Sequence, residues 1–143
     1  MGEQVITLSL PSSMQHVSLL DVVITEILRE MGFGDEHLMQ VNLAVIEAGT
    51  NAIKHGNKEA PGKRADFQFI LTDEKLTIIV QDQGPGFTRE EVADPLDPAN
   101  LLKSSGRGIF LMEECMDSVD FEANGTIVKM VKYKNTPDPD GIR

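Results

Sequence analysis

The chain is 143 residues long, enough for one domain with a sizeable core, and its formal net charge is −10 at pH 7. That charge argues against a nucleic-acid partner, because phosphate backbones demand clustered Lys and Arg. No apolar run approaches the roughly twenty residues of a membrane span. The opening Met1-Gly2-Glu3-Gln4-Val5-Ile6 lacks the charged-then-apolar layout of a secretory signal, and Ile6 stands where myristoylation needs Ser or Thr. The expected location is the cytoplasm.

In chain order, Glu3 to Leu10 is rich in β-branched residues and predicts an edge strand, ended by Pro11. Ser12 or Ser13 can cap a helix in which Val17, Leu20, Ile24, Ile27, Leu28 and Met31 recur at helical spacing, stopped by Gly32 and Gly34. Asp35 is the expected cap of a second helix, with Leu38, Val41, Val45, Ala48 and Ala52 on its apolar face and its end near Gly56-Asn57. Within it Glu47, Asn51 and His55, at i, i+4 and i+8, form one stripe bordering the apolar face. Such a stripe can reach a ligand lying between helix and sheet, although an isolated E-x-x-x-N pair is more often a solvated face.

Phe67, Phe69 and Leu71 alternate with polar residues and predict a strand; Thr72 to Lys75 is a tight turn into its partner, Leu76 to Asp82. Asp82 is in phase with Leu76, Ile78 and Val80, so its carboxylate should point to the buried side, where it needs a hydrogen-bond donor. The glycine-rich turn Asp82-Gln83-Gly84-Pro85-Gly86-Phe87 follows. Phe87 to Ser104 is a long acidic connection with two prolines and reads as a lid. A second glycine turn, Ser105-Gly106-Arg107-Gly108, opens a helix running to about Met116.

Cys115 in that helix is the only cysteine, so no internal disulfide can form, and its apolar neighbours predict a buried structural thiol. Val119 and Phe121 predict a strand, Asn124-Gly125 a hairpin turn and Thr126 to Tyr133 the last strand. Residues 1–134 are thus expected to form the domain, with 135–143 a flexible tail free of packed structure. The element order predicts an α+β fold, a mainly antiparallel sheet with helices on one face.

A carboxylate delivered by a strand, a glycine turn, and a second glycine turn opening a helix suit a nucleotide. Glycine admits close backbone approach, and a helix start offers unpaired N–H groups to phosphate. Glu47…Asn51, Asp82-x-Gly84-x-Gly86 and Gly106-x-Gly108 resemble the three signature boxes of the GHKL ATPases. Within that superfamily, Val41 to Tyr133 resembles the bacterial anti-sigma-factor serine/threonine kinases, most closely at Glu47 to Gly56, Asp94 to Pro98, Ser105 to Met112 and Met116-Asp117.

The resemblance implies a two-layer α/β sandwich with an ATP lid, binding ATP or ADP with Mg²⁺. It implies that Asn51 ligates the metal, that Glu47 is the general base, and that Asp82 accepts from the adenine amino group. Gly84 would belong to the same nucleotide pocket, Gly86 would let the ring lie against backbone, and Thr126 would support adenine through a hydroxyl and water. Ser105, Gly106, Arg107 and Gly108 would cradle phosphates. Lys54, Lys103 and Arg107 are the available cations, and His55 is expected to make a hydrogen bond or phosphate contact at the site's edge. The activity implied is phosphorylation of an anti-anti-sigma antagonist combined with sequestration of a sigma factor, by a homodimer built from the amino-terminal strand and first helix. Two other readings stay open: an ATP-gated partner-binding module without catalysis, and a detached histidine-kinase catalytic domain.

Overall fold

The computed structural model describes residues 2–86 and 104–135. Of the predicted lid, Phe87 to Ser104, all but Ser104 lies outside these residues, as does the tail after Asn135. Five strands form one antiparallel sheet: β1 (Gln4–Pro11), β2 (Arg64–Leu71), β3 (Lys75–Gln81), β4 (Ser118–Glu122) and β5 (Ile127–Tyr133), in the order β1-β2-β3-β5-β4. The register pairs Phe67 with Val80, Phe69 with Ile78 and Leu71 with Leu76, placing one apolar face of the β2–β3 hairpin on the same side. A slip of one residue would turn that whole face to solvent, so the alternation itself fixes the register. Thr72 Oγ1 accepts the Glu74 and Lys75 N–H groups and tightens the turn between the two strands.

Three helices cover that face: α1 (Ser18–Met31), α2 (Asp35–Thr50) and α3 (Ser104–Cys115). Leu20, Ile24, Ile27 and Leu28 of α1 and Val41, Ala44, Val45 and Ala48 of α2 are buried with Phe67, Phe69 and Ile78, as their spacing predicts. The contact is close at Gly49, where a Cβ would lie 2.6 Å from the Leu20 Cδ1. Gly32 ends α1 at φ +83°, its N–H bonding Arg29 O at 3.1 Å while Phe33 N–H bonds Leu28 O at 3.0 Å. Only glycine adopts that left-handed cap without a Cβ penalty.

Several local expectations are corrected. Neither Ser12 nor Ser13 caps α1: a short 3₁₀ turn (Met14–His16) precedes it, with Ser13 at that turn's cap position but making no side-chain cap bond, and Ser12 is buried, donating from Oγ to Lys63 O at 2.8 Å. Asp35 lies inside the first turn of α2, with Gly34 at the cap position. The second helix does not run unbroken to Gly56. It widens at Asn51–Gly56 into a π-helical turn, closed by Asn57 N–H to Ala52 O at 2.8 Å. Such turns recur at functional sites because they re-aim side chains at one helix end. The third helix begins at Ser104 rather than Gly108, so the second glycine box lies within its opening turns.

The apolar stripe of α1, the helix expected to take part in a dimer, is spent on the protein's own core. The large apolar side chains that α1 and β1 leave exposed are Leu19, Val22 and Val5. Cys115 is partly buried and packs against the core, and burial pushes its thiol pKa up. Lys132 faces inward from β5; its ammonium donates to Cys115 O at 2.6 Å and Gln40 Oε1 at 2.9 Å, tying the end of α3 to α2.

Candidate functional site

Because β3 and β5 are antiparallel neighbours, the end of one and the start of the other meet at the same edge of the sheet. There Asp82 N–H donates to Thr126 O at 2.9 Å. The π-helical turn after α2 lies over this edge, and α3 closes the far side. The result is a cavity of about 280 Å³ between sheet and helices. Its walls are apolar, from Ala48, Ala52, Val80, Ile109, Met112 and Val128, and its polar groups include Asp82, Thr126 and Asn51. An apolar cavity with a few placed polar atoms is suited to a heteroaromatic ring that presents one hydrogen-bonding edge. At this volume, just under the usual range of small-molecule sites, it has room for a single heteroaromatic ring system.

Asp82 sits one residue past β3 yet keeps the strand's phase, so its half-buried carboxylate faces the cavity as predicted. Burial raises its pKa; the Gly84 N–H, 2.8 Å from Oδ1, and the charge of Lys63 pull the other way. Two glycines make room for it. A Cβ on Gly56 would lie 2.6 Å from the carboxylate, and a Cβ on Gly84 would lie 2.1 Å from the Gly56 carbonyl oxygen. Gly86, at φ +80°, brings the far end of the loop so close to the β4–β5 turn that a Cβ would meet Asn124 O at 2.0 Å.

The raised pKa has a testable sign. A carboxyl whose folded-state pKa exceeds its unfolded value weakens the fold where it is ionised, and the penalty disappears as pH falls through that window. The empty protein carrying Asp82→Asn should therefore melt at a higher temperature than wild type at neutral pH. The difference should vanish at acid pH below the ordinary carboxylate range, as thermal unfolding across pH will show.

Glu47 and Asn51 converge from successive turns on the backbone of α3. A Cβ on Gly108 would be 2.9 Å from Glu47 Oε2 and 3.5–3.6 Å from the Asn51 carboxamide atoms. Thus the helix carboxylate and amide stand against the second glycine box, with open backbone between them. Thr126 lines the cavity and donates its hydroxyl to Ala123 O at 2.8 Å, leaving its lone pairs to accept. His55 is exposed but lines the rim. Lys54 and Arg107 are exposed and outside the lining. Ser105 and Gly106 fall in the first turn of α3, where backbone N–H groups lack helical partners, and Lys103 lies outside the described residues.

The reading of the sequence missed Asn57, buried at 1% exposure beneath this site. Its Oδ1 accepts the Gln83 N–H at 2.7 Å. A buried Asn following a glycine at a helix end was the available signal, but nothing local says which strand it meets.

The domain model for the histidine kinase-like ATPase domain matches residues 10–132. The chain belongs to the histidine kinase-like ATPase family. Among curated relatives it is similar to the serine-protein kinase RsbW of Listeria monocytogenes, with 34% identity over 137 residues covering 91% of this chain and 87% of that one. It is likewise similar to the serine-protein kinase RsbW of Bacillus pumilus, at 30% over 139 residues, 91% and 86% of the two chains. The fold is shared with a crystal structure of the RsbU and RsbW domains of a Mycobacterium tuberculosis protein. That comparison has a TM-score of 0.61 at 14% identity and covers 91% of this chain but 32% of that one.

Proposed function

We propose that this protein is an ATP-dependent serine/threonine-protein kinase that phosphorylates an anti-anti-sigma antagonist and sequesters a sigma factor. One observation carries the reading: Glu47 and Asn51 meet at Gly108 beside a cavity whose buried end holds Asp82. This arrangement supports adenine seated against Val80 and Ile109, its amino group donating to Asp82, with the phosphates running outward past Asn51 to the start of α3.

The donor set suits Mg²⁺. Among the described residues no cluster of three His, Cys, Asp or Glu side chains could cage a metal. Mg²⁺ instead keeps waters and phosphate oxygens in its octahedron and asks the protein for one or two hard oxygens. Asn51 would hold it through its carboxamide oxygen, and the ion would supply charge neutralisation on the phosphates. Glu47 takes the proton of the attacking serine or threonine hydroxyl as the oxygen–phosphorus bond forms. The bond to the β-phosphate oxygen breaks, and ADP leaves. The open backbone at Gly108 lets both side chains address the same phosphoryl group.

The decisive experiment incubates the protein with ATP, Mg²⁺ and candidate anti-anti-sigma proteins and maps the phosphate. Transfer to a serine or threonine is expected. ATP-dependent capture without transfer would instead make the chain a nucleotide-gated binding module, and phosphohistidine would make it a histidine-kinase catalytic domain. A homodimer using Val5 of the β1 edge with Leu19 and Val22 of α1 belongs to the same proposal. Light scattering at micromolar concentration should return twice the chain mass; a monomer with and without nucleotide would refute it. Among the described residues no helix is long and apolar enough to cross a membrane; a cytoplasmic site of action is a separate part of the proposal.

A further inference from the structure

We infer that Asn57 is a positioning residue that sets the nucleobase selectivity of the site by fixing the loop that carries Asp82. The inference rests on the nucleotide reading above. Three successive N–H groups of this loop have fixed acceptors. Asp82 N–H bonds Thr126 O of the neighbouring chain segment at 2.9 Å, Gln83 N–H bonds Asn57 Oδ1 at 2.7 Å, and Gly84 N–H bonds Asp82 Oδ1 at 2.8 Å. The first acceptor is backbone and the last belongs to Asp82 itself. Only the middle one is supplied by another side chain.

Asn57 is built to hold still. At 1% exposure its amide Nδ2 donates to Ser12 Oγ at 2.7 Å and to Arg64 O at 3.0 Å, so the carboxamide plane is fixed from both ends. Ser12 is anchored in turn on Lys63 O, and Arg64 N–H donates back to Gln83 Oε1 at 2.6 Å. Asn57 also follows Gly56, the residue whose missing side chain leaves the place occupied by the Asp82 carboxylate. One residue pair therefore both clears and pins the position of Asp82. With Asn57 absent, Gln83 N–H would lose its acceptor, and the Asp82–Gly84 turn would be held from outside only through Asp82 N–H and the Gln83 side chain. Gln83 is itself exposed, so its N–H would turn toward water and draw the turn with it.

A purely structural role would lower stability or distort the whole cavity; a positioning role changes which base is preferred. The experiment measures, by calorimetry with Mg²⁺ and well below the melting temperature, the affinity for ATP and for purine riboside triphosphate, whose ring carries hydrogen in place of the 6-amino group. Wild type should prefer ATP, because only ATP donates to Asp82. Asn57→Ala should weaken ATP about tenfold, the lower end for a hydrogen bond to a charged group, while the analogue stays within about twofold. If Asn57→Ala does not fold, Asn57→Ser, small and polar but too short to reach Gln83 N–H, is judged by the same ratio. Equal losses for both ligands, or no loss for either, would overturn the positioning role while leaving nucleotide binding intact. Failure of the wild-type protein to bind either triphosphate would overturn the nucleotide reading, and the role of Asn57 with it.

Discussion

Glu47→Ala is expected to bind Mg²⁺–ATP and still capture its partner protein, yet to transfer phosphate roughly 10²–10⁴-fold more slowly, the usual worth of a positioned base. Asn51→Ala should behave differently and lose Mg²⁺-dependent nucleotide affinity together with activity. The two side chains are one helical turn apart and both face Gly108, so a general disturbance of the site would affect them alike. Their proposed tasks differ. A carboxylate beside the phosphates contributes no attraction to an anion, so removing it leaves ATP binding unchanged or tighter. A carboxamide oxygen on the metal helps hold the metal–phosphate unit in place. Single-turnover phosphotransfer alongside calorimetry separates these outcomes. Full kinase activity in Glu47→Ala would leave Glu47 no more than a helix-surface carboxylate.

Gly86→Ala should have the second large effect, and Gly62→Ala supplies its control. Both glycines have left-handed backbones, φ +80° and φ +85°, so an alanine at either carries the same strain of about 1–2 kcal/mol. At Gly62 nothing lies within 4 Å of the new methyl group, and strain should be the whole cost. At Gly86 the methyl would stand 2.0 Å from the backbone oxygen of Asn124, which has no rotamer by which to yield. Overpacking then adds about 1–3 kcal/mol. The loop bearing Asp82 must also move off the β4–β5 turn, and ATP affinity should fall at least tenfold. Urea unfolding and calorimetry on the two variants make the comparison. Equal stability losses and an unaltered ATP affinity would show that the close approach at Gly86 has no part in the site.

Much of the site was legible because its chemistry is carried by short-range spacing. Glu47 and Asn51 are one helical turn apart whatever the rest of the chain does. Asp82 keeps its inward phase although the strand stops one residue earlier at Gln81. Lys54, chosen for charge alone, falls outside the cavity lining, because charge carries no direction; Arg107, chosen also for its place in the second glycine turn, lies outside it too. The extent of the third helix was misread for a related reason. Two glycines in four residues argue locally for a turn, but packing of Ile109 and Met112 into the core holds the segment helical from Ser104.

The sequence by itself determined the elements whose period is set by burial: the alternation of Phe67, Phe69 and Leu71 against Leu76, Ile78 and Val80, the stripe of α1, and the left-handed stop at Gly32. It also singled out the residues proposed to carry chemistry, since a carboxylate, an amide and two glycine turns in that order have few other uses together. Only the tertiary structure decided what these residues meet. The strand order β1-β2-β3-β5-β4 brings Asp82 to Thr126 across 44 positions of chain, and α3 brings Gly108 to Glu47. The widening of α2 at Asn51 and the burial of Asn57 under Gln83 are likewise tertiary. They depend on contacts between segments far apart in the chain, and a buried hydrogen bond has no sequence period to announce its partner.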